Sequence, residues 1–401
     1  MQASHASDSR PSIILLLASL TAIAMLATNI VLPVLPQMLG DVHASLASAS
    51  AVLWTFLGVF AIGQLIAGPL SDRFGRRPVL FGGLAIFIGG SLFAASADQL
   101  SVLLVGRALQ GLGAAAASAL SRAVLRDLFE GPALGRALGL VMSIMAAAPG
   151  FSPLIGALIG TTFGWRATLI ALVVAAIAVA VAHQWIVGES HPAERRSRHG
   201  VGELSRGYMA LLKDARFIRP AFANAMAMGA LFAYFAATPG ILRGAFHLGT
   251  MGVGVFFGAA VLAVFAAASR ASRWGAKIGA PRVVGLGLII IVAAAVIASI
   301  TGLASGFGLS VYIAAATTFL FGIGLVLPTT TALTLHPFAA QAGQASALLG
   351  FLQMAAATIT LVILQTLALS PTVSLALLMA ATAALALFAI RPAAAPSPAA
   401  A

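Results

Sequence analysis

The sequence predicts an all-α membrane protein of twelve transmembrane helices, arranged as two pseudo-symmetric six-helix bundles. Three observations lead there. Of the 401 residues, 61% are apolar and only 8% are Asp, Glu, Lys or Arg, against roughly 25% charged in an ordinary soluble domain. Apolar stretches long enough to cross about 30 Å of hydrocarbon recur along the chain, separated by short polar breaks. A short pattern of charged residues and glycine returns 200 residues after its first occurrence.

The spans are expected at 12–36, 46–70, 78–97, 99–122, 135–161, 164–187, 217–241, 249–270, 282–304, 308–331, 342–368 and 370–390. The first follows Arg10 in the manner of a secretion signal, but it is too long, ends in Pro33 and Pro36, and is followed by further spans. It is read as a retained first helix. Residues 188–216 are polar and basic, and are expected to form a cytoplasmic linker, a solvated tether between an N-terminal bundle (1–187) and a C-terminal bundle (217–391). Residues 392–401 read as a disordered tail.

An even number of spans puts both termini on one side. With the N-terminus in the cytoplasm, all of the 22 Lys and Arg except Arg107, Arg166 and Arg243 fall in cytoplasmic segments. Cationic loops are translocated poorly against the membrane potential, so the termini are expected to be cytoplasmic in a bacterial inner (plasma) membrane. The same distribution assigns the net charge of +12 to helix ends and argues against nucleic acid as a partner. Cysteine is absent, which removes disulfides, thiolate metal sites and a cysteine nucleophile. No cofactor is expected.

The most specific string is Gly68-Pro69-Leu70-Ser71-Asp72-Arg73-Phe74-Gly75-Arg76-Arg77-Pro78, after the second span. Gly68 and Pro69 favour close approach and termination of a helix, Gly75 a tight turn, and Pro78 a first helical turn. Asp72 suits the positive end of the third helix, and Arg73 is expected to reach a partner on another helix as a charged latch. A weaker copy, Ala271-Ser272-Arg273-Trp274-Gly275-Ala276-Lys277, follows the eighth span. A parallel six-span repeat suits two bundles that rock about a shared site.

This string resembles the loop signature of the major facilitator superfamily, and the resemblance extends over nearly the whole chain. It implies the major facilitator fold and the transport of a small solute. The fourth span holds Arg107-Ala108-Leu109-Gln110-Gly111-Leu112-Gly113. A guanidinium in hydrocarbon costs at least about 2.5–3.5 kcal/mol, so Arg107 is expected to face a wet cavity or a buried partner, with Gln110 on the same side. The segment resembles the family's fourth-helix motif, which is linked there to proton coupling. At the end of that helix stand Arg126 and Asp127. In the family an acid near this place pairs with the arginine of the loop signature, which implies Asp127 against Arg73 as a gate on the inward face.

The fifth span carries Pro149, Gly150, Pro153, Gly156 and Gly160. Prolines and glycines there loosen the hydrogen-bond ladder and permit bending and close packing. The run is loosely similar to the fifth-helix signature of the superfamily's exporters, except that Gly156-Ala157 stands where the family has two glycines. The first span places Thr21, Met25, Thr28, Asn29 and Leu32 on one helical face. Its end, Thr28 to Pro36, resembles the first helix of the Bcr/CflA-type drug exporters, where the residue matching Asn29 is commonly an aspartate.

That departure matters because all ten acids fall at termini, loops or helix ends, and no histidine is central. A lipophilic cation would meet no counter-charge, only Arg107, so neutral or weakly anionic lipophilic solutes are expected. The usual intramembrane proton carrier is missing, which leaves Asp127 or the substrate's own ionisation for proton antiport. The cavity wall is expected to include Gln64, Met142, Met145, Asn224, Tyr234, Phe235, Thr238, Thr317, Thr318 and Gln353. Methionines and aromatic faces suit varied apolar ligands, and single amides fix orientation.

Two transport readings follow: export of small lipophilic antibiotics such as amphenicols, and movement of a metabolite such as a nucleoside, sugar or organic acid. An enzyme is disfavoured by the lack of an intramembrane acid pair, a histidine cluster or a Ser-His-Asp set. The expected partners are a small lipophilic solute, protons and membrane lipid, with the chain monomeric.

Overall fold

The computed structural model describes residues 10–45, 48–192, 194, 196, 201–303 and 308–390. The first span is broken. Helix α1 (Arg10–Asn29) stops before a short 3-10 turn at Leu32–Val34, and α2 (Leu35–Asp41) completes the crossing. Pro33 has no N–H to continue the ladder, so α1 ends inside the bundle with its last carbonyls uncommitted.

The remaining membrane helices of the first half are α3 (Ala49–Phe74), α4 (Arg76–Ala95), α5 (Leu100–Leu128), α6 (Gly131–Phe163) and α7 (Trp165–Ile186). After α8 (Val201–Lys213), the second half comprises α9 (Ala215–Gly244), α10 (Thr250–Ile278), α11 (Ala280–Leu303), α12 (Leu309–Leu335), α13 (Ala342–Thr366) and α14 (Pro371–Ile390). Every expected span coincides with one of these elements. Among the described residues, eleven spans are long and apolar enough to cross a membrane. The twelfth crossing, α6, is helical throughout, but its side chains at 142–150 lie outside the described residues. Met142, Met145 and Pro149, expected at the site, fall in that stretch.

The two halves pack alike. In the first, α4 and α3 lie against α5, α1 against α6, and α4 against α7; in the second, α11 and α10 lie against α12, α9 against α13, and α11 against α14. The halves meet along two seams, α3 with α13 and α6 with α10, which exchange under the repeat. The seams use small residues: Gly254 of α10 faces Ala157 and the Pro153 carbonyl of α6. Here Ala157 fits without a second glycine because the partner helix supplies one.

The turn glycines differ between the repeats. Gly75 adopts φ 99° and reverses the chain between α3 and α4, a conformation costly for any residue with a Cβ. The matching Gly275 stays helical, and the turn falls one helical turn later at Gly279, with φ 88°.

The polar segment between the halves is more than a solvated tether. Its helix α8 is amphipathic and buries Leu211 against Phe217, Ala345, Leu348 and Leu349 of the second half. The side of the bundle carrying α8 is here termed the linker face.

On the far face the halves are tied together. Arg243 at the end of α9 donates to the Pro33 carbonyl at 3.3 Å and to Thr250, and Trp54 of α3 donates to Gln365 of α13 at 3.2 Å. Arg166, expected there as one of few cations, holds Asp41 at 3.0 Å and Asp98 at 3.2 Å. The molecule is closed on that side and hollow on the linker face.

A Cβ added at Gly156 would collide with the Ile30 carbonyl at the break of α1. Gly156→Ala is expected to destabilise the protein by about 1–3 kcal/mol through overpacking. Gly258→Ala, whose Cβ would make ordinary contact with Leu154 at 3.6 Å, should be neutral. Unfolding titrations in detergent read the difference.

Candidate functional site

Three polar clusters stand out among the described residues. One surrounds Arg107, which is wholly buried in α5. Its Nη1 donates to the Ala27 carbonyl at 3.0 Å and to Gln110, and its Nε donates to the Val52 carbonyl at 3.2 Å. The guanidinium also lies 4.5 Å from the centre of the Phe56 ring. Ala27 is among the last residues of broken α1, so a cation meets the negative end of a helix dipole and carbonyls that would otherwise lack partners. Gln110 passes the network on to Ser91 at 2.8 Å. Arg107 thus has buried partners, two backbone carbonyls, the Gln110 amide oxygen and an aromatic ring, and it does not border the described cavity.

The predicted face of the first span is likewise enclosed. Asn29 is 1% exposed and donates to the Met25 carbonyl at 3.1 Å; Thr28 donates to Ala24, and Thr21 to Ser121 of α5. Met25 is half-buried.

In the second half, Gln353 donates to Asn224 at 2.7 Å, while Asn224 donates to Thr330, Thr331 and the Leu327 carbonyl. These amides bind one another across α9, α12 and α13. Thr238 shares a 2.9 Å hydrogen bond with the Tyr312 hydroxyl. Tyr234 and Phe235 belong to an aromatic cluster with Phe257 and Phe319, and the Tyr234 hydroxyl is buried without a hydrogen-bond partner. Thr318 is half-buried, but Thr317 is exposed on the outer surface of α12, on the same side as Ile313.

The linker face holds the ionic cluster, and here the expected pairing changes. Asp127 bonds Arg76 at 2.9 Å, not Arg73. The reversal at Gly75 makes Arg76 the first residue of α4 and turns it into the bundle, where Asp72 and Ser71 also take its Nη1. Arg73 instead lies over the ring of its neighbour Phe74, at 5.5 Å. The positive end of α4 is occupied by Glu189, whose two oxygens accept the backbone N–H of Arg76 at 2.9 Å and of Arg77 at 3.2 Å. Arg77 in turn holds Gln184. Apart from Glu189 at the start of the linker, these groups belong to the first half, so the latch does not join the halves. Arg273, its expected counterpart, is exposed at the end of α10, without an ion pair among the described residues, and the second half contains no acid.

A cavity of about 750 Å³ opens beside this cluster, between α3 and α5 of the first half, the linker helix α8 and α13 of the second half. Gln64, read from the sequence as a cavity residue, lines it with Gly68, Asp72, Arg73, Arg126 and Asp127, read as gate residues, and with two that sequence reasoning missed, Arg122 and Tyr208. Arg122 passes in the sequence for one more topogenic cation. Gln64, 4% exposed, accepts from Arg122 at 3.0 Å and lies against Gly350 across the seam. Burial, with Asp72 nearby, raises the Tyr208 phenol above its usual pKa, so it stays a neutral donor toward the Leu65 carbonyl.

Twelve crossings, two matching bundles and an axial cavity with one side shut define a polytopic membrane transporter. Residues 17–361 match the Major Facilitator Superfamily, and the chain belongs to that family, whose members are transporters rather than enzymes. It is 29% identical over 351 residues to an uncharacterized MFS-type transporter, YdgK, of Bacillus subtilis, covering 86% of each chain. It is 30% identical over 289 residues to a chloramphenicol resistance protein of Pseudomonas aeruginosa, covering 72% of this chain and 68% of that one. Among solved structures, the human organic anion transporter MFSD10 shares the fold with a TM-score of 0.72 at 16% identity, over 95% of this chain and 99% of the other.

The Arg76–Asp127 pair is little exposed, 9% and 16% at the side chains. Asp127→Asn should cost about 3 kcal/mol by leaving a buried cation short of its partner. Arg73→Gln should stay within about 0.5 kcal/mol. In unfolding titrations, the Arg76→Gln, Asp127→Asn double variant should cost less than the two single changes together.

Proposed function

We propose that this protein exports small lipophilic solutes, neutral or weakly anionic and typified by amphenicol antibiotics, by alternating access coupled to proton antiport. The observation that carries the reading is the distribution of charge. Among the described residues the carboxylates stand at helix ends and connecting segments, and the second half has none at all. A lipophilic cation entering between the halves would meet four arginines and only two acids, Asp72 and Asp127, both already engaged by Arg76, whereas a neutral solute needs no counter-ion. The drug-resistance relatives, one of them a chloramphenicol resistance protein, support amphenicols as the first solutes to test.

The linker face, with its basic turns, is taken as cytoplasmic, so the open cavity is the loading side and the Arg243–Pro33 tie shuts the exit. Rocking about the α3–α13 and α6–α10 seams would exchange the two. Asp127 is the proposed proton carrier, because it lines the cavity and its side chain is 16% exposed against 41% for Asp72. The protein is proposed to act as a monomer.

In proteoliposomes with an inward-directed proton gradient or none, chloramphenicol flux should follow the gradient and fall to background in Asp127→Asn. Flux indifferent to the gradient would remove the antiport, and no flux above empty vesicles would remove the amphenicol reading. Asn29→Asp places an acid at the broken end of α1 and should raise tetraphenylphosphonium export about tenfold. Unchanged cation export would show that Asn29 does not face the transport path.

A further inference from the structure

We infer that the linker-face cavity contains an anion subsite centred on Arg122, shaped for the carboxylate or sulfonate of a small amphipathic molecule. The inference names a substrate class for the transporter proposed above and rests on that reading of the cavity.

The charge around the cavity is unbalanced. Arg73, Arg76, Arg122 and Arg126 line it, with Asp72 and Asp127. Both acids are engaged by Arg76. Among the described residues, neither Arg122 nor Arg126 has an ion pair. Arg126 lies one turn beyond Arg122 on α5 and reaches toward Gly343 of the other half.

Arg122 is 9% exposed, yet among the described residues its guanidinium is met only by neutral oxygens: the Ser118 hydroxyl at 3.2 Å and the Gln64 amide oxygen at 3.0 Å. A buried cation bordering a cavity and served by neutral acceptors favours replacing one of them with an oxyanion, since charge-assisted hydrogen bonds are roughly twice as strong as neutral ones. Leu65, Ala119, Ala123 and Ala347 on the same walls offer an apolar surface for the rest of the molecule.

The acceptor to be displaced also matters mechanically. Gln64 is the side chain packed against Gly350, where a Cβ would have no room. An oxyanion that takes Arg122 releases the Gln64 amide from its bond at the inner end of the α3–α13 seam. Occupancy of the subsite and loosening of that seam are therefore one event.

The test is isothermal titration of the full chain in phosphatidylcholine nanodiscs with naphthalene-2-sulfonate and with the uncharged naphthalene-2-sulfonamide. Arg122→Gln should weaken the sulfonate by about tenfold to a hundredfold, the worth of a charged hydrogen bond, and leave the sulfonamide within about twofold. Arg122→Lys should recover most of the sulfonate affinity, and Arg126→Gln should weaken it about tenfold by removing the second cation. Equal loss for both ligands, or sulfonate binding indifferent to Arg122, overturns the subsite. So does a wild-type protein that binds no sulfonate; chloramphenicol flux, measured separately, still decides the transport reading. Discs containing phosphatidylglycerol distinguish the source of the anion: competition with the sulfonate in the wild type assigns the subsite to a lipid headgroup, and unchanged binding assigns it to a free solute.

Discussion

The break in α1 is the feature on which the interior depends. In hydrocarbon, backbone carbonyls released by a stopped helix must find partners within the protein. Arg107 supplies the partner for Ala27 and reaches the Val52 carbonyl of α3 as well, so one side chain of α5 ties two other helices. Ser152 of α6 donates to the Leu26 carbonyl, and Gly156 lets α6 lie directly on Ile30. The charge that looks costliest in the sequence is thus a cap for a helix end, and its cost is offset by the dipole it meets.

The two halves share their packing but not their chemistry. The first is fastened by ions at both ends, with Arg76, Asp127 and Glu189 on the linker face and Arg166, Asp41 and Asp98 on the far face. The second is fastened by amides, hydroxyls and rings, notably Asn224 with Gln353, and Tyr234 within its aromatic cluster. Between them the seams rely on close approach at small residues rather than on charge. Among the described residues that leaves two cavity cations, Arg122 and Arg126, without an acid partner and facing the cavity.

The architecture was legible from hydropathy because crossing length and apolar content are local properties, and all twelve spans have their helices. The partners within the site were less so. That Arg76 rather than Arg73 takes Asp127 depends on the backbone reversal at Gly75, which rotates one of two nearby arginines inward. Glu189 lies over a hundred residues from the helix it caps, so no local signal identified it. Arg122 resembled every other arginine at a helix end, and only the folded packing shows it lacking an acid while bordering a cavity. Gln64 was recognisable as a lone amide in an apolar span, whereas Asn224 and Gln353, read in the same way, satisfy each other. A single polar residue in a span announces that it needs a partner without saying whether that partner is protein or cargo.

The unequal fastening of the halves has a bearing on robustness. Ionic bonds weaken with salt, while ring packing and amide pairing are largely indifferent to it. In brine the N-terminal bundle softens first, leaving the acid-free C-terminal bundle as the stiff frame against which it moves. Alternation between two shapes would then be tuned from one half only.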